Sequence, residues 1–240
     1  MFHHMILMCS DFTSGKRIAF HQVYSRIDDA INFKKDIQLI KKQFQTISFS
    51  FHHIETDEQS HDSIGEYDNY FTEVIFFDDK EKFICNLRDS IKITPEDIAK
   101  YIVIKGEFDK LQILKLVFFS YSEYAGKYEE PLFEECFETW PYGPVIPKLY
   151  YELEKYQYRK VKPADINVCR IQLELKLSRV RNRDEVINCI DKALSKYGDK
   201  KGGEMIDITH QKGSPWDIVK NNKGLGKEIP YEIIREFARQ

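Results

Sequence analysis

The chain has 240 residues, enough for one large domain or two small ones. With 42% hydrophobic and 14% aromatic residues it can bury a sizeable core, which excludes wholesale disorder. Lys+Arg 36 against Asp+Glu 39 leaves a formal charge of -3, which argues against a basic nucleic-acid coat or an electrostatic membrane anchor.

Nothing in the sequence is typical of a membrane, secreted or disulfide-bonded protein. No apolar run approaches the roughly 20 residues of a membrane helix, and the N-terminus lacks the features of a secretory signal. The five cysteines are widely spaced and include no C-x-x-C pair, so we interpret them as small buried residues. We expect a soluble cytoplasmic protein.

The distribution of two residue types predicts two modules. All eight prolines lie at or after Pro95, whereas six of the seven histidines lie at or before His61. We therefore predict an α+β protein, with a small N-terminal α/β module of unknown role over residues 1–90. A mainly α-helical domain with a β-hairpin insert is expected over residues 91–240.

The first module alternates strand and helix patterns. Residues 18–24, 46–51 and 70–77 are rich in aromatic or β-branched residues, which favours strands. The isoleucines and Phe44 of the segment 27–44 fall near one helical face, which predicts a helix. The polar, acidic stretch 55–68 is interpreted as an exposed loop.

The second module shows clear helix starts and stops. Thr94 and Ser214 each precede a proline and a carboxylate, as N-cap residues do. The predicted helices cover residues 94–105, 108–124 with a stop at Gly126, 148–156, 184–197, 214–224 and 230–240. Within the insert 158–183, residues 171–177 alternate between apolar and polar, which predicts one strand of a hairpin.

The sequence contains no recognisable metal or cofactor motif. Phosphate-loop, dinucleotide-binding, serine-hydrolase and zinc-protease patterns are absent. His3-His4, His52-His53 and His61 have no fixed ligand spacing, and adjacent histidines on a strand point to opposite faces. We therefore expect no metal and no cofactor, with these histidines at a mobile terminus and at a strand end.

An ordered set of short motifs runs through the second module. It consists of Leu111-Gln112-Ile113-Leu114-Lys115-Leu116, Gly126-Lys127, Pro131-Leu132-Phe133, Trp140-Pro141-Tyr142-Gly143-Pro144-Val145-Ile146-Pro147, Thr209-His210 and Ser214-Pro215-Trp216. Over about residues 94–240 this set resembles the Panacea antitoxin-domain family, which includes GepA-like and SocA-like proteins.

That resemblance implies a non-enzymatic antitoxin of a toxin–antitoxin system, associated with prophages or phage defence. Such a protein neutralises a cognate toxin, for example a nucleotide- or tRNA-modifying enzyme, by direct binding. A proteolytic adaptor that delivers a toxin to a bacterial protease is the alternative within the family. The motif residues expected to have a structural role are Trp140, Gly143, Pro144, Pro147, His210, Pro215 and Trp216.

Partner contact is expected on tyrosine and arginine side chains, because these dominate binding energy at protein interfaces. The candidates are Tyr142, Tyr150, Tyr151, Arg179, Arg181 and Arg183. No membrane contact or direct nucleic-acid contact is expected, and a homodimer or a 2:2 complex stays open.

Two further hypotheses come from other classes. A hydrolase would use His210 with a carboxylate brought near by folding. A DNA-binding autoregulator would use the lysines of the first module, although no helix-turn-helix pattern is visible there.

Overall fold

The N-terminal segment is a central strand, because six consecutive residues from His4 to Cys9 are buried. The computed structural model describes residues 1–157, 159–180 and 182–240. Strand β1 (Phe2–Ser10) pairs antiparallel with β2 (Arg17–Tyr24) on one side and β3 (Ser50–Thr56) on the other. The expectation of a mobile terminus is wrong, since the apolar side chains of β1 face partners on both surfaces of the sheet.

Helices cover both faces of this four-stranded sheet, whose order is β3-β1-β2-β4. The odd-numbered apolar residues of β1 pack with α1 (Ile31–Gln43) and α3 (Lys80–Ile91). The even-numbered ones pack with α2 (His61–Tyr67), which lies in the stretch predicted as a loop. That prediction is wrong because Ser60 caps the helix and Ile64 is fully buried against the sheet.

Two other strands differ from the prediction in extent. The strand predicted at 46–51 lies at β3, four to five residues later, where it pairs with β1 in register. The strand predicted at 70–77 is a 3-10 turn followed by the short β4 (Ile75–Phe77), which pairs parallel with β2. Pairing partners, not local propensity, determine both boundaries.

The second half of the chain is built around one long buried helix, α5. Residues 112–121 of α5 are all buried, so this helix has neighbours on every side. The helices are α4 (Pro95–Lys105), α5 (Lys110–Lys127), α6 (Pro147–Leu153), α7 (Ile166–Leu177), α8 (Arg183–Tyr197), α9 (Gly202–Thr209), α10 (Pro215–Lys223) and α11 (Tyr231–Ala238). The strands β5 (Phe137–Trp140), β6 (Gly143–Val145) and β7 (Glu228–Ile229) form a small sheet in the order β6-β5-β7.

The α+β class is confirmed, whereas the predicted β-hairpin insert is wrong: residues 166–177 are the helix α7. The apparent period of two arises from two (i, i+4) pairs on different sides of one helix. Leu173 and Leu177 face the core, and Ile171 and Leu175 face solvent. Asp165 stabilises the helix start by accepting hydrogen bonds from two backbone N–H groups.

Gly126 does not end α5, which continues to Lys127. A Cβ atom at this position would lie 2.9 Å from the carbonyl oxygen of Ala238, so the glycine permits close approach of α11. The predicted caps at Thr94 and Ser214 are confirmed, because each hydroxyl accepts a hydrogen bond from the third helical N–H group.

The chain divides into two compact units, Met1–Lys92 and Ile93–Gln240. Each of the three hydrophobic clusters draws its residues from one unit. Among the helices of the described residues, none combines the length and apolar character needed to cross a membrane.

Candidate functional site

A tight turn between β5 and β6 forms the centre of the motif region in the second unit. Gly143 adopts a φ of +100°, and a Cβ atom there would lie 2.6 Å from the Thr209 hydroxyl and 2.7 Å from the Lys115 ammonium nitrogen. Only glycine fits this position without strain. The two prolines have separate roles: Pro144 is buried in β6, and Pro147 is the first residue of α6.

Lys115 is a buried cation beneath this turn. Its side chain is 0% exposed, and its Nζ donates a hydrogen bond to the carbonyl oxygen of Pro144 at 3.0 Å. Burial lowers the pKa of Lys115 to about 7. Sequence reasoning assigned no role to this lysine, although a charged residue within an otherwise apolar helix was a signal that could have identified it.

The distant Thr-His and Ser-Pro-Trp motifs lie against the same turn. The indole N–H of Trp216 donates to the carbonyl oxygen of Trp140 at 2.8 Å, and the Ser214 hydroxyl donates to the Thr209 carbonyl oxygen at 2.7 Å. The His210 ring stacks on Trp216 at 3.7 Å between centroids. These contacts join residues about 70 positions apart in the sequence into one packed joint.

His210 lacks the partner that a general base needs. Its Nε2 is buried without a hydrogen bond, and within the described residues no carboxylate hydrogen-bonds to the ring. Burial, with a smaller contribution from the nearby Lys115 charge, lowers the pKa of His210. The imidazole therefore packs as a neutral ring, and the geometry does not favour the hydrolase hypothesis.

The tyrosines predicted to contact a partner differ in environment. Tyr142 and Tyr151 are 68% and 62% exposed, as partner contact requires. Tyr150 is half-buried between the Trp140 ring at 4.9 Å and the Lys110 ammonium at 4.1 Å from its centroid. Tyr150 therefore supports the turn, while the other two present aromatic rings to solvent.

The arginine run is spread over two elements. Arg179 lies in the turn after α7, and Arg183 begins α8 and forms an ion pair with Glu174 at 2.7 Å. Arg181 lies outside the described residues. In the described part of the run, Arg183 is thus already engaged within the chain, and it links α7 to α8.

Helix α7 presents an apolar face to solvent that the sequence analysis missed. Val168, Ile171 and Leu175 are 48%, 59% and 54% exposed and lie within one side of the helix; we call them the exposed α7 face. On the other side, the ammonium of Lys176 contacts the Asp97 carboxylate at 2.6 Å, and both side chains are nearly fully buried. The inner side of the helix is thus fixed by a buried ion pair, while its outer face has no apolar cover among the described residues.

The first unit places His4 and His61, for which the sequence predicted no site, beside His21. His21 on β2, His61 at the start of α2 and Asp78 after β4 place three potential ligand atoms within 3.1 Å of one another. His4 lies behind His21, with 3.0 Å between ring nitrogens. Burial lowers the pKa of His21 to about 4 and also lowers the pKa of His4.

Sequence reasoning missed His21 and Asp78 because neither belongs to a motif. The sheet brings them together, because β2 and β4 are parallel and Phe20 pairs with Phe77. The residue that follows Phe20 is His21, and the residue that follows Phe77 is Asp78, so the two lie side by side. A second group, His3, His53 and Glu55, lies elsewhere on the same sheet.

The motif region matches a known family. Residues 113–217, from α5 to the start of α10, match the Panacea domain of SocA-like antitoxins. The resemblance seen in the sequence is therefore confirmed: part of the second unit matches the Panacea domain of SocA-like antitoxins.

Antitoxin SocA of Caulobacter vibrioides (strain NA1000 / CB15N) is a curated relative. It is 28% identical over 137 residues, which cover 54% of this chain and 71% of that protein. No solved structure matches the chain significantly.

Proposed function

We propose that this chain is an antitoxin that neutralises a cognate toxin protein by direct binding, without catalysing a reaction itself. The exposed α7 face carries the proposal, because it lies inside the Panacea match and exposes three large aliphatic side chains together. Clustered apolar exposure on a folded protein is typical of a binding surface.

The composition around this face favours a protein partner. The flanking charges, Arg170 and Glu174 among them, have both signs, which suits a polar rim around an apolar centre. Tyr142 and Tyr151 add exposed aromatic rings of the kind found at interface hot spots. The curated relative is an antitoxin by name, so a toxin is the partner that we assign.

The test uses the product of the adjacent open reading frame as the toxin. Co-purification should give a 1:1 or 2:2 complex, and co-expression should restore growth. In the double variant Ile171→Asp/Leu175→Asp we expect binding to weaken at least about 100-fold, because two apolar contacts at an interface centre are worth several kcal/mol. The variant should fold normally, since both side chains already face solvent.

Leu225→Asp provides the matched control, because Leu225 is exposed to a similar degree (48%) but lies in the loop after α10. It should bind like the wild type. If the double variant also binds normally, the α7 face is not the contact. If the neighbouring protein does not associate at micromolar concentration, it is not the toxin of this chain. A shorter toxin half-life in the presence of the chain would indicate the proteolytic adaptor in place of simple blocking.

A further inference from the structure

The first unit contains a triangle of ligand atoms that hydrogen bonding alone does not satisfy. The Asp78 carboxylate oxygen lies 2.7 Å from Nδ1 of His21 and 2.9 Å from Nε2 of His61, and the two nitrogens are 3.1 Å apart. In a tetrahedral zinc site with bonds of about 2.0–2.1 Å, ligand atoms are about 3.3 Å apart. A small outward movement of these three side chains would therefore admit an ion.

A chain of hydrogen bonds determines which nitrogen of His21 carries its proton. Nε2 of His4 faces two oxygens, the carbonyl oxygen of Glu58 at 2.9 Å and the Thr56 hydroxyl at 2.8 Å. The Thr56 hydroxyl donates its proton to the same carbonyl at 2.6 Å, so neither oxygen is left to donate to His4, and this nitrogen of His4 is protonated. Nδ1 of the neutral His4 is then an acceptor, and it faces Nε2 of His21 at 3.0 Å. His21 therefore donates from Nε2 and presents an unprotonated Nδ1 to Asp78.

The closest contact of the triangle thus joins two acceptors. A bare imidazole nitrogen and a carboxylate oxygen repel at 2.7 Å unless a cation lies beside both. The single proton that His61 can donate from Nε2 cannot form a hydrogen bond within all three pairs of ligand atoms. Burial of His21, which is 2% exposed, opposes charging the ring as an alternative.

We propose that His21 Nδ1, His61 Nε2 and an Asp78 oxygen bind one divalent first-row transition-metal ion. Two imidazoles and one carboxylate suit zinc and its neighbours better than Mg²⁺ or Ca²⁺, which prefer oxygen ligands. His4 is a positioning residue: it orients the His21 ring in the way that outer-shell partners orient metal ligands. The exposed Asp78 and the half-exposed His61 leave room for a further ligand from solvent.

The metal site would tie β2, α2 and the β4–α3 junction together in the first unit. The proposal goes beyond the antitoxin function and does not depend on it. The second group, His3, His53 and Glu55, has separations of 3.1 to 3.7 Å, which a zinc site also allows, but no comparable buried relay lies behind it among the described contacts. It therefore serves as the internal control.

The experiment titrates the full-length protein with Co²⁺ and Zn²⁺ after treatment with a chelator, in the absence of any toxin. We expect one equivalent of Co²⁺ to bind with a visible d–d absorption band, to be displaced by Zn²⁺, and to raise the unfolding temperature. Asp78→Asn and His61→Gln change exposed or half-exposed side chains, so both variants should fold; each should weaken binding at least about 100-fold.

His53→Gln is the matched control and should bind one equivalent like the wild type. Three results would overturn the proposal: no saturable binding of either ion, unchanged affinity in both ligand variants, or loss of binding in His53→Gln alone. The last would place the ion at the second group. Circular dichroism of every variant separates loss of a ligand from loss of the fold.

Discussion

At the scale of single residues, the buried amine of Lys115 lies at the centre of the joint formed by the β5–β6 turn. One hydrogen bond to Pro144 is its only described partner, so little compensates for the loss of hydration. The same side chain fills the space that a Cβ atom at Gly143 would need. The packing of the β5–β6 turn is therefore coupled to the protonation state of Lys115.

Stability should therefore depend on pH through Lys115. Its pKa is about 7 in the folded protein, below the unfolded value of about 10.4, so between these values the unfolded chain binds more protons. The free energy of unfolding contributed by this group should rise with pH across that window and stay flat below pH 7. Lys115→Met should abolish the rise.

The measurement is urea unfolding of the wild type and Lys115→Met at pH 7 and pH 9.5. The difference between the two free energies of unfolding should change by about 3 kcal/mol in favour of the wild type at the higher pH. Groups that titrate in both proteins contribute equally to the two free energies of unfolding, so their contributions cancel in the difference. A difference that is independent of pH would mean that Lys115 keeps its proton when folded.

At the scale of elements, α7 depends on a buried ion pair for its attachment. Lys176 contacts Asp97 at the start of α4, and the same carboxylate also accepts hydrogen bonds from the backbone N–H and hydroxyl of Thr94. Because removing one partner of a buried pair leaves the other charge uncompensated, such pairs are costly to break.

Lys176→Met should destabilise the protein by about 3 kcal/mol and loosen α7, which would also weaken binding by the exposed α7 face. Thermal unfolding and amide hydrogen exchange along α7 would measure both effects. Lys162→Met, which breaks an exposed pair with Glu107, is the control and should unfold like the wild type. Equal behaviour of the two variants would contradict the importance of burial at Lys176.

At the scale of the whole molecule, the two units have separate hydrophobic cores. The Panacea match and the exposed α7 face lie in residues 93–240, and the proposed metal ligands lie in residues 1–92. The second unit buries an extensive cluster of its own around α5, so it has the core that independent folding requires.

We accordingly expect a fragment of residues 93–240 to unfold cooperatively and to retain toxin binding, whereas residues 1–92 alone should not bind the toxin. Calorimetry and co-purification with the product of the adjacent reading frame would test both statements. If the fragment folds but does not bind, the first unit contributes to recognition, and the assignment of partner binding to the Panacea domain is incomplete.

The sequence by itself determined the features that depend on neighbouring residues. The caps at Thr94 and Ser214, the helix ending near Gly198 and the strand β2 follow from local hydrogen bonding, helical periodicity and residue composition. The ordered motifs of the second unit likewise sufficed to recognise the resemblance to the Panacea family, which the match over residues 113–217 confirms.

Only the tertiary structure decided what depends on residues far apart in the chain. The central position of β1, and hence the meeting of His4, His21, His61 and Asp78, follows from strand pairing, which no local pattern contains. The alternation at 171–177 fits a strand or a helix with two apolar sides equally well, and packing against α4 makes it the helix α7. Long-range pairing and burial supply the free energy that decides between such local alternatives.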